Sequence, residues 1–236
     1  MRQENYMESY GQTTSSVAVS TLMKSVYVWM TLALAVTGMT AAYVAGNLPL
    51  MSAILSNRIL FFGIIIAELA MVWTLSARID RLSFATSGLL FALYSILNGV
   101  TMSVLFVAFT SASIAQTFFI TAGTFGAMSL VGFTTKKDLT SMGSLFFMAL
   151  IGLIIASLVN IFWQNSVLYW IISYVGVLLF VGLTAYDTQK IKQMVYAHGN
   201  EVNETTQKLA LLGSLTLYLD FINLFIYLLR ILGDRK

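Results

Sequence analysis

Cysteine is absent from these 236 residues, proline and histidine occur once each, and only 10% of the chain is charged. The first absence excludes disulfides, thiolate metal ligands and cysteine nucleophiles together. With His198 as sole imidazole, in a loop after the sixth apolar run, no Ser-His-Asp triad or zinc constellation can be assembled. A soluble domain of this length would carry about 25% charged residues. The basic residues form no continuous face, so nucleic acid is not an expected partner. No phosphate-binding glycine loop occurs either: Gly123, Gly126 and Gly132 lie inside an apolar run and suit helix packing. The single proline, Pro49, falls in a loop.

What is present is apolar. Hydrophobic residues make up 58% of the chain, and the mean hydropathy is +0.83. Residues 1–23 are polar and read as a mobile cytoplasmic tail; residues 24–236 read as one transmembrane domain. Seven apolar runs follow the tail, approximately Met23–Ala45, Ile59–Leu75, Phe84–Phe109, Ile114–Phe133, Ser144–Phe162, Leu168–Tyr186 and Leu209–Leu232. Each is near or above the length that crosses a bilayer as a helix. The first run is no cleavable signal peptide, since it follows a long polar tail and exceeds the usual apolar length. The expected fold is an all-α membrane protein, a seven-transmembrane-helix bundle.

Loop charges orient it. With the N-terminus inside, the cytoplasmic segments hold Arg2, Lys24, Arg78, Arg81, Lys136, Lys137, Lys190, Lys192 and Lys208, while the outer loops hold Arg58 alone. Seven spans leave the C-terminus outside with Arg235 and Lys236, a mild conflict with the same rule.

Two carboxylates then stand out. Asp187 closes the sixth run, one turn before Lys190, and Asp220 lies about 16 Å along the seventh at 1.5 Å per residue. Ionisable groups inside spans are costly and mark functional sites by default. Glu68 is midway through the second run, Arg78 ends it, and Arg230 is near the outer end of the seventh. Polar residues recur at helical spacing: Gly213, Thr216, Asp220, Asn223, Tyr227 and Arg230 on the seventh span, Ser173, Gly176, Thr184 and Asp187 on the sixth, and Ser87, Tyr94, Asn98 and Thr101 on the third. Such stripes point away from lipid. The bland alternatives are close packing for the Ser, Thr and Gly positions, headgroup solvation for Asp187, and snorkelling for Arg78 and Arg230.

Gly182-Leu183-Thr184-Ala185-Tyr186-Asp187-Thr188-Gln189, followed by Leu217-Tyr218-Leu219-Asp220-Phe221-Ile222-Asn223-Leu224-Phe225, resembles the paired signature of the transmembrane Bax-inhibitor-motif family, in its bacterial branch. Thr134-Thr135-Lys136-Lys137-Asp138-Leu139, with Tyr94-Ser95 and Asn98-Gly99, fits the same pattern. The resemblance covers all seven spans. It implies a bundle with the last helix central, in a bacterial inner membrane, and a calcium leak that responds to cytoplasmic pH. It also implies that Asp187 and Asp220 form a hydrogen-bonded pair serving as pH sensor and lying on the calcium path. By the same resemblance Arg78, or Arg81 close by, engages that pair, and Glu68 with Arg230 corresponds to a second charged pair on the outer side. The loop from Thr188 to Lys208 is longer than a compact member of the family would carry.

The chemistry of such a pair follows from elementary electrostatics. Two carboxylates within hydrogen-bonding distance in poor solvent cannot both ionise cheaply, so they share a proton and titrate as a unit. Singly protonated they staple spans six and seven; fully ionised they repel and present hard oxygen donors of the kind calcium prefers. Acidic cytoplasm is therefore expected to favour the closed state. No enzyme activity and no resident cofactor is expected, with calcium ions and protons as cargo and the bilayer as surroundings. Three rivals remain: a non-conducting regulator of other membrane proteins, with the polar tail as its handle; a proton-coupled cation exchanger; and, least favoured, an intramembrane aspartyl protease, whose Gly-x-Gly-Asp and Pro-Ala-Leu elements are missing around Asp220.

Overall fold

A computed structural model describes residues 2–198 and 201–236, with side chains described for 17–197 and 201–236. The described residues are almost wholly helical and form no strands, apart from one isolated bridge between Phe109 and Arg235. The helices are α1 (Arg2–Gly46), α2 (Leu48–Ser56), α3 (Arg58–Arg78), α4 (Phe84–Met102), the single turn α5 (Leu105–Ala108), α6 (Ser111–Thr134), α7 (Gly143–Trp163), α8 (Ser166–His198) and α9 (Glu204–Leu232). Seven of these contain stretches long and apolar enough to cross a membrane. The chain is an all-α membrane protein. In the last span 61% of the most apolar window is buried, against at most 33% in any other.

Helix boundaries depart from the hydropathy reading in four places. The segment expected to be a tail is helical from Arg2, and the packed part starts with Ala18, Val19 and Leu22, all buried; the side chains of 2–16 lie outside the described residues. Pro49 occupies the first turn of α2 rather than a loop, where its missing N–H costs nothing, while Asn47 Oδ1 accepts from Leu50 N at 3.1 Å. The third run breaks after Met102 before the short α5. Most important, α8 does not stop at Tyr186 but continues to His198, and α9 starts at Glu204 rather than Leu209, so the supposed long loop is mostly helix. Lys190 and Lys192 end the apolar run without ending the helix, since lysine is a good helix former. Asp187 is thus about 17 Å short of the helix end. The side chain of His198 lies outside the described residues.

The chain divides into two compact units. The first comprises residues 1–106 and 191–218. In it α1 packs chiefly on α4, and Gly99 permits the approach: a Cβ there would stand 2.6 Å from Thr37 O and from Thr40 Cβ. Leu22, Val26, Leu75, Phe91, Leu211, Leu215 and Tyr218 are among its fully buried side chains. The second unit comprises residues 107–190 and 219–236. Its centre is aromatic: Phe221 meets Phe125 and Phe118 edge-on, with centroids 5.4 and 5.5 Å apart, and Phe180 stacks on Tyr227 at 5.8 Å. Its C-terminal residues are tied to the start of α6, with Thr110 N donating to Asp234 O at 3.1 Å and Lys236 N to Ala108 O at 3.1 Å.

Candidate functional site

Asp187 and Asp220 come together in the second unit, their carboxyl groups within hydrogen-bonding reach of each other. Both are buried, 9% and 5% exposed. Asp220 Oδ2 meets no donor among the described residues. A carboxylate oxygen in that position is costly unless it holds or shares a proton, and the carboxyl group beside it is the partner that could share one. Lys190 lies one turn further along α8 and is itself exposed.

Local packing explains why the two aspartates meet. Gly132 on α6 lies against the backbone of Ala185, two residues before Asp187, where any side chain would collide with the Ala185 carbonyl. One turn away Thr188 Oγ1 donates to Ser129 Oγ at 3.5 Å. Just beyond, Gln189 clamps the connection between α6 and α7: its Oε1 accepts from Leu139 N and its Nε2 donates to Lys137 O, both at 2.8 Å. The Thr-Gln that follows the first aspartate therefore fastens the Lys137–Leu139 segment to α8. On α9, Phe221 wedges against Phe125 and Phe118 of α6 immediately after Asp220. The packing role expected of the α6 glycines holds at Gly132 but not at Gly123 or Gly126, which have nothing within 4 Å of a Cβ.

The polar stripes mostly face inward. Ser173, Gly176 and Thr184 on α8 are buried, as are Ser87, Tyr94 and Asn98 on α4. On α9, Thr216 and Asn223 satisfy themselves on their own helix, donating to Leu212 O and Leu219 O at 3.2 and 2.8 Å. Ser173 and Thr184 do likewise. These positions thus follow the packing reading.

The remaining sequence candidates fall in different surroundings. Arg78, in the first unit, is exposed and lies over the Trp73 ring at 5.5 Å; Arg81 is exposed as well. Glu68, also in the first unit, is half-buried and accepts from Thr101 Oγ1 at 3.0 Å, with Asn98 also in reach. Arg230, in the second unit, lies over Tyr227 at 5.1 Å and Tyr169 at 5.6 Å. Arg78, Glu68 and Arg230 thus have partners within their own units.

Sequence reasoning missed Tyr218. Its hydroxyl is fully buried in the first unit, 2.6 Å from Thr37 Oγ1, and donates to Asn98 Oδ1 at 3.1 Å; Thr37 in turn donates to Ser95 O at 2.9 Å. The phenol thereby joins α9 to α1 and α4, two residues before Asp220. The signal was present, since a tyrosine within an apolar span needs a partner for its hydroxyl. Among the described residues no group of three acidic or imidazole side chains converges on a point that could hold a resident metal.

The family described as inhibitor of apoptosis-promoting Bax1, Bax1-I, matches residues 19–236. The chain belongs to it. The match begins within the packed part of α1. Inner membrane protein YbhL of Escherichia coli (strain K12) is 50% identical over 218 residues, spanning 92% of this chain and 93% of YbhL. The uncharacterized protein RP147 of Rickettsia prowazekii (strain Madrid E) is 47% identical over 216 residues, or 91% and 89% of the two chains. An uncharacterized protein of Borreliella burgdorferi is 44% identical over 214 residues, or 91% and 92%.

Proposed function

We propose that this Bax1-I family protein is a calcium leak of a bacterial inner membrane whose conductance follows pH through the Asp187–Asp220 pair. The observation that carries the reading is two buried carboxyl groups in mutual hydrogen-bonding reach, one with an oxygen that no donor satisfies. The inner membrane is adopted from YbhL, which that name describes.

In the closed state one proton is shared between the carboxyl groups, so α8 and α9 are linked by a charge-assisted hydrogen bond. Loss of that proton leaves two like charges in a site that water scarcely reaches, and repulsion separates the helices. The freed oxygens then offer calcium a pair of hard donors. Two carboxylates are too few to hold calcium as a resident ion, which suits a transient stop for cargo. Acidification closes the path and alkalinisation opens it.

The test is calcium-dye flux into liposomes holding the purified full chain, from mildly acidic to mildly basic internal pH. Asp187→Asn and Asp220→Asn each keep a hydrogen-bonding group while removing one titrating site, and each abolishes the pH response. An unaltered pH profile in both variants refutes the sensor. Removing residues 2–16, which stops short of the buried Ala18 and Val19, leaves a leak intact but abolishes a partner effect exerted through the N-terminal segment. A stoichiometric opposing proton flux would replace the leak with an exchanger.

A further inference from the structure

In the second unit the ends of three spans line an open cavity of about 620 Å³, formed by the α7–α8 turn, the first residues of α8 and the last of α9. That size lies within the roughly 300–1,000 Å³ of small-molecule sites. Two of its lining side chains are Arg230 and Arg235. Their guanidinium carbons lie 5.6 and 5.2 Å from the centre of the Tyr169 ring, so one tyrosine orients both. Arg235 Nη2 also donates to Tyr169 Oη at 2.8 Å.

Neither cation meets a carboxylate within this unit. Asp234, the acid adjacent to Arg235, accepts from Ser113 Oγ at 3.2 Å and does not line the cavity. Arg230 is half-buried, yet the described residues of the unit offer its five N–H donors no acceptor; its only partners there are the two rings. The start of α8 opens into the same space at Ser166, adding the positive end of a 33-residue helix. The α7–α8 turn closes one wall through Gln164, held left-handed at φ 46° with its N–H on Asn160 O. Two guanidinium groups without a carboxylate partner among the described residues of this unit and a helix N-terminus, converging on one cavity, call for an anion with several oxygens.

The surroundings indicate which anion. Phe162 is 88% exposed, Trp163 77% and Trp170 43%, forming at the span ends the aromatic girdle that sits at headgroup depth in a bilayer. A phosphate at that depth is carried by lipid. We infer that the Arg230–Arg235 cavity is a binding site for the phosphodiester headgroup of an anionic phospholipid. Arg235 gives bidentate contact from the tail, and Arg230 faces it from the last turn of α9. The inference is independent of whether the aspartate pair gates an ion path.

The purified full chain is placed in phosphatidylcholine nanodiscs with a graded fraction of dibrominated phosphatidylglycerol, and quenching of tryptophan emission is followed, Trp170 lining the cavity. Dibrominated phosphatidylcholine is the reference. Phosphatidylglycerol is expected to reach half-quenching at the lower fraction. Arg235→Gln weakens this preference about threefold, and its combination with Arg230→Gln about tenfold. Arg235 is exposed on the C-terminal segment, so its single variant tests the site even where the double variant fails to fold. Arg81→Gln, a charge elsewhere, leaves the preference unchanged; an equal loss there would overturn the site in favour of general charge attraction. In the second arm the protein in detergent is titrated with inorganic phosphate under the same readout. A phosphate response without any phosphatidylglycerol preference overturns the lipid assignment in favour of a soluble anion. Equal quenching by both lipids with no phosphate response overturns the site altogether.

Discussion

Replacing Gly132 with alanine tests the packing that places Asp187. The added methyl carbon would stand 2.8 Å from Ala185 C and Cα, and nearer still to the carbonyl oxygen. Carbon atoms in ordinary contact are about 3.5–4.0 Å apart, so α6 and α8 would have to separate by about 1 Å at this point. The obstacle is backbone on both sides, and no rotamer change can relieve it. Overpacking of this kind costs about 1–3 kcal/mol. The same substitution at Gly123, on the same helix but exposed and with nothing within 4 Å, gains helix propensity of about 0.5–1 kcal/mol. The two variants should therefore move stability in opposite directions, by a gap of about 1.5–4 kcal/mol. Reversible unfolding in mixed micelles titrated with dodecyl sulfate, followed by far-ultraviolet circular dichroism, measures both. In flux, Gly132→Ala should also blunt the pH response, because separation of the helices breaks the Thr188–Ser129 contact beside Asp187. A Gly132→Ala protein as stable as wild type would refute the claim that backbone contact sets the position of α8.

Tyr218→Phe removes the hydroxyl shared by Thr37 and Asn98, and should cost about 1–2 kcal/mol in the same unfolding assay, since interhelical hydrogen bonds in membranes average under 1 kcal/mol each; a neutral result would mean the buried hydroxyl is not bonded. Gln189→Ala releases the Lys137–Leu139 segment, so trypsin should cut at Lys136 or Lys137 several-fold faster while the spans stay intact, and unaltered cleavage would refute the clamp. Asp138, exposed in that loop, is bonded by the Thr140 side chain and also accepts from Thr140 N at 2.9 Å, and this bonding, the side chain's foremost, holds its carboxyl below the usual range. A lowered folded value means that the local stabilisation is present above the ordinary carboxylate pKa and fades as pH falls through the folded one. Protection of the Thr140 amide against hydrogen exchange, corrected for intrinsic rates, should accordingly decline only in strong acid; a decline that begins near neutrality would contradict it.

Seven spans were legible because lipid demands long apolar helices and tolerates little else. Their ends were not. Hydropathy registers where lipid stops, whereas α8 continues past Lys190 and Lys192 and α1 packs from Ala18. Asp187 and Asp220 were each legible as candidates because carboxylates are so rare in apolar runs that each demands an explanation; that they pair was implied by the family resemblance alone. Tyr218 escaped because the stripe was traced through Asp220, and two residues along a helix turn the side chain about 200° away. Gly123, Gly126 and Gly132 are alike as letters; only the facing backbone of Ala185 distinguishes the last. The cavity joining Arg230 and Arg235 escaped for a related reason, because one belongs to a helix and the other to a segment beyond it, and no periodicity connects them.

The helix with the largest buried share follows the other six spans along the chain. During translation six spans enter the membrane before the segment that supplies the second aspartate and the Tyr218 phenol exists. Until α9 arrives, Asp187 has no carboxyl group to share with, and Thr37 and Asn98 lack their common bridge. A chain still lacking α9 thus displays unsatisfied polar groups to lipid and to any protease that patrols it, and insertion of α9 removes them together. Arrival of α9 and concealment of those groups are, for this protein, one event.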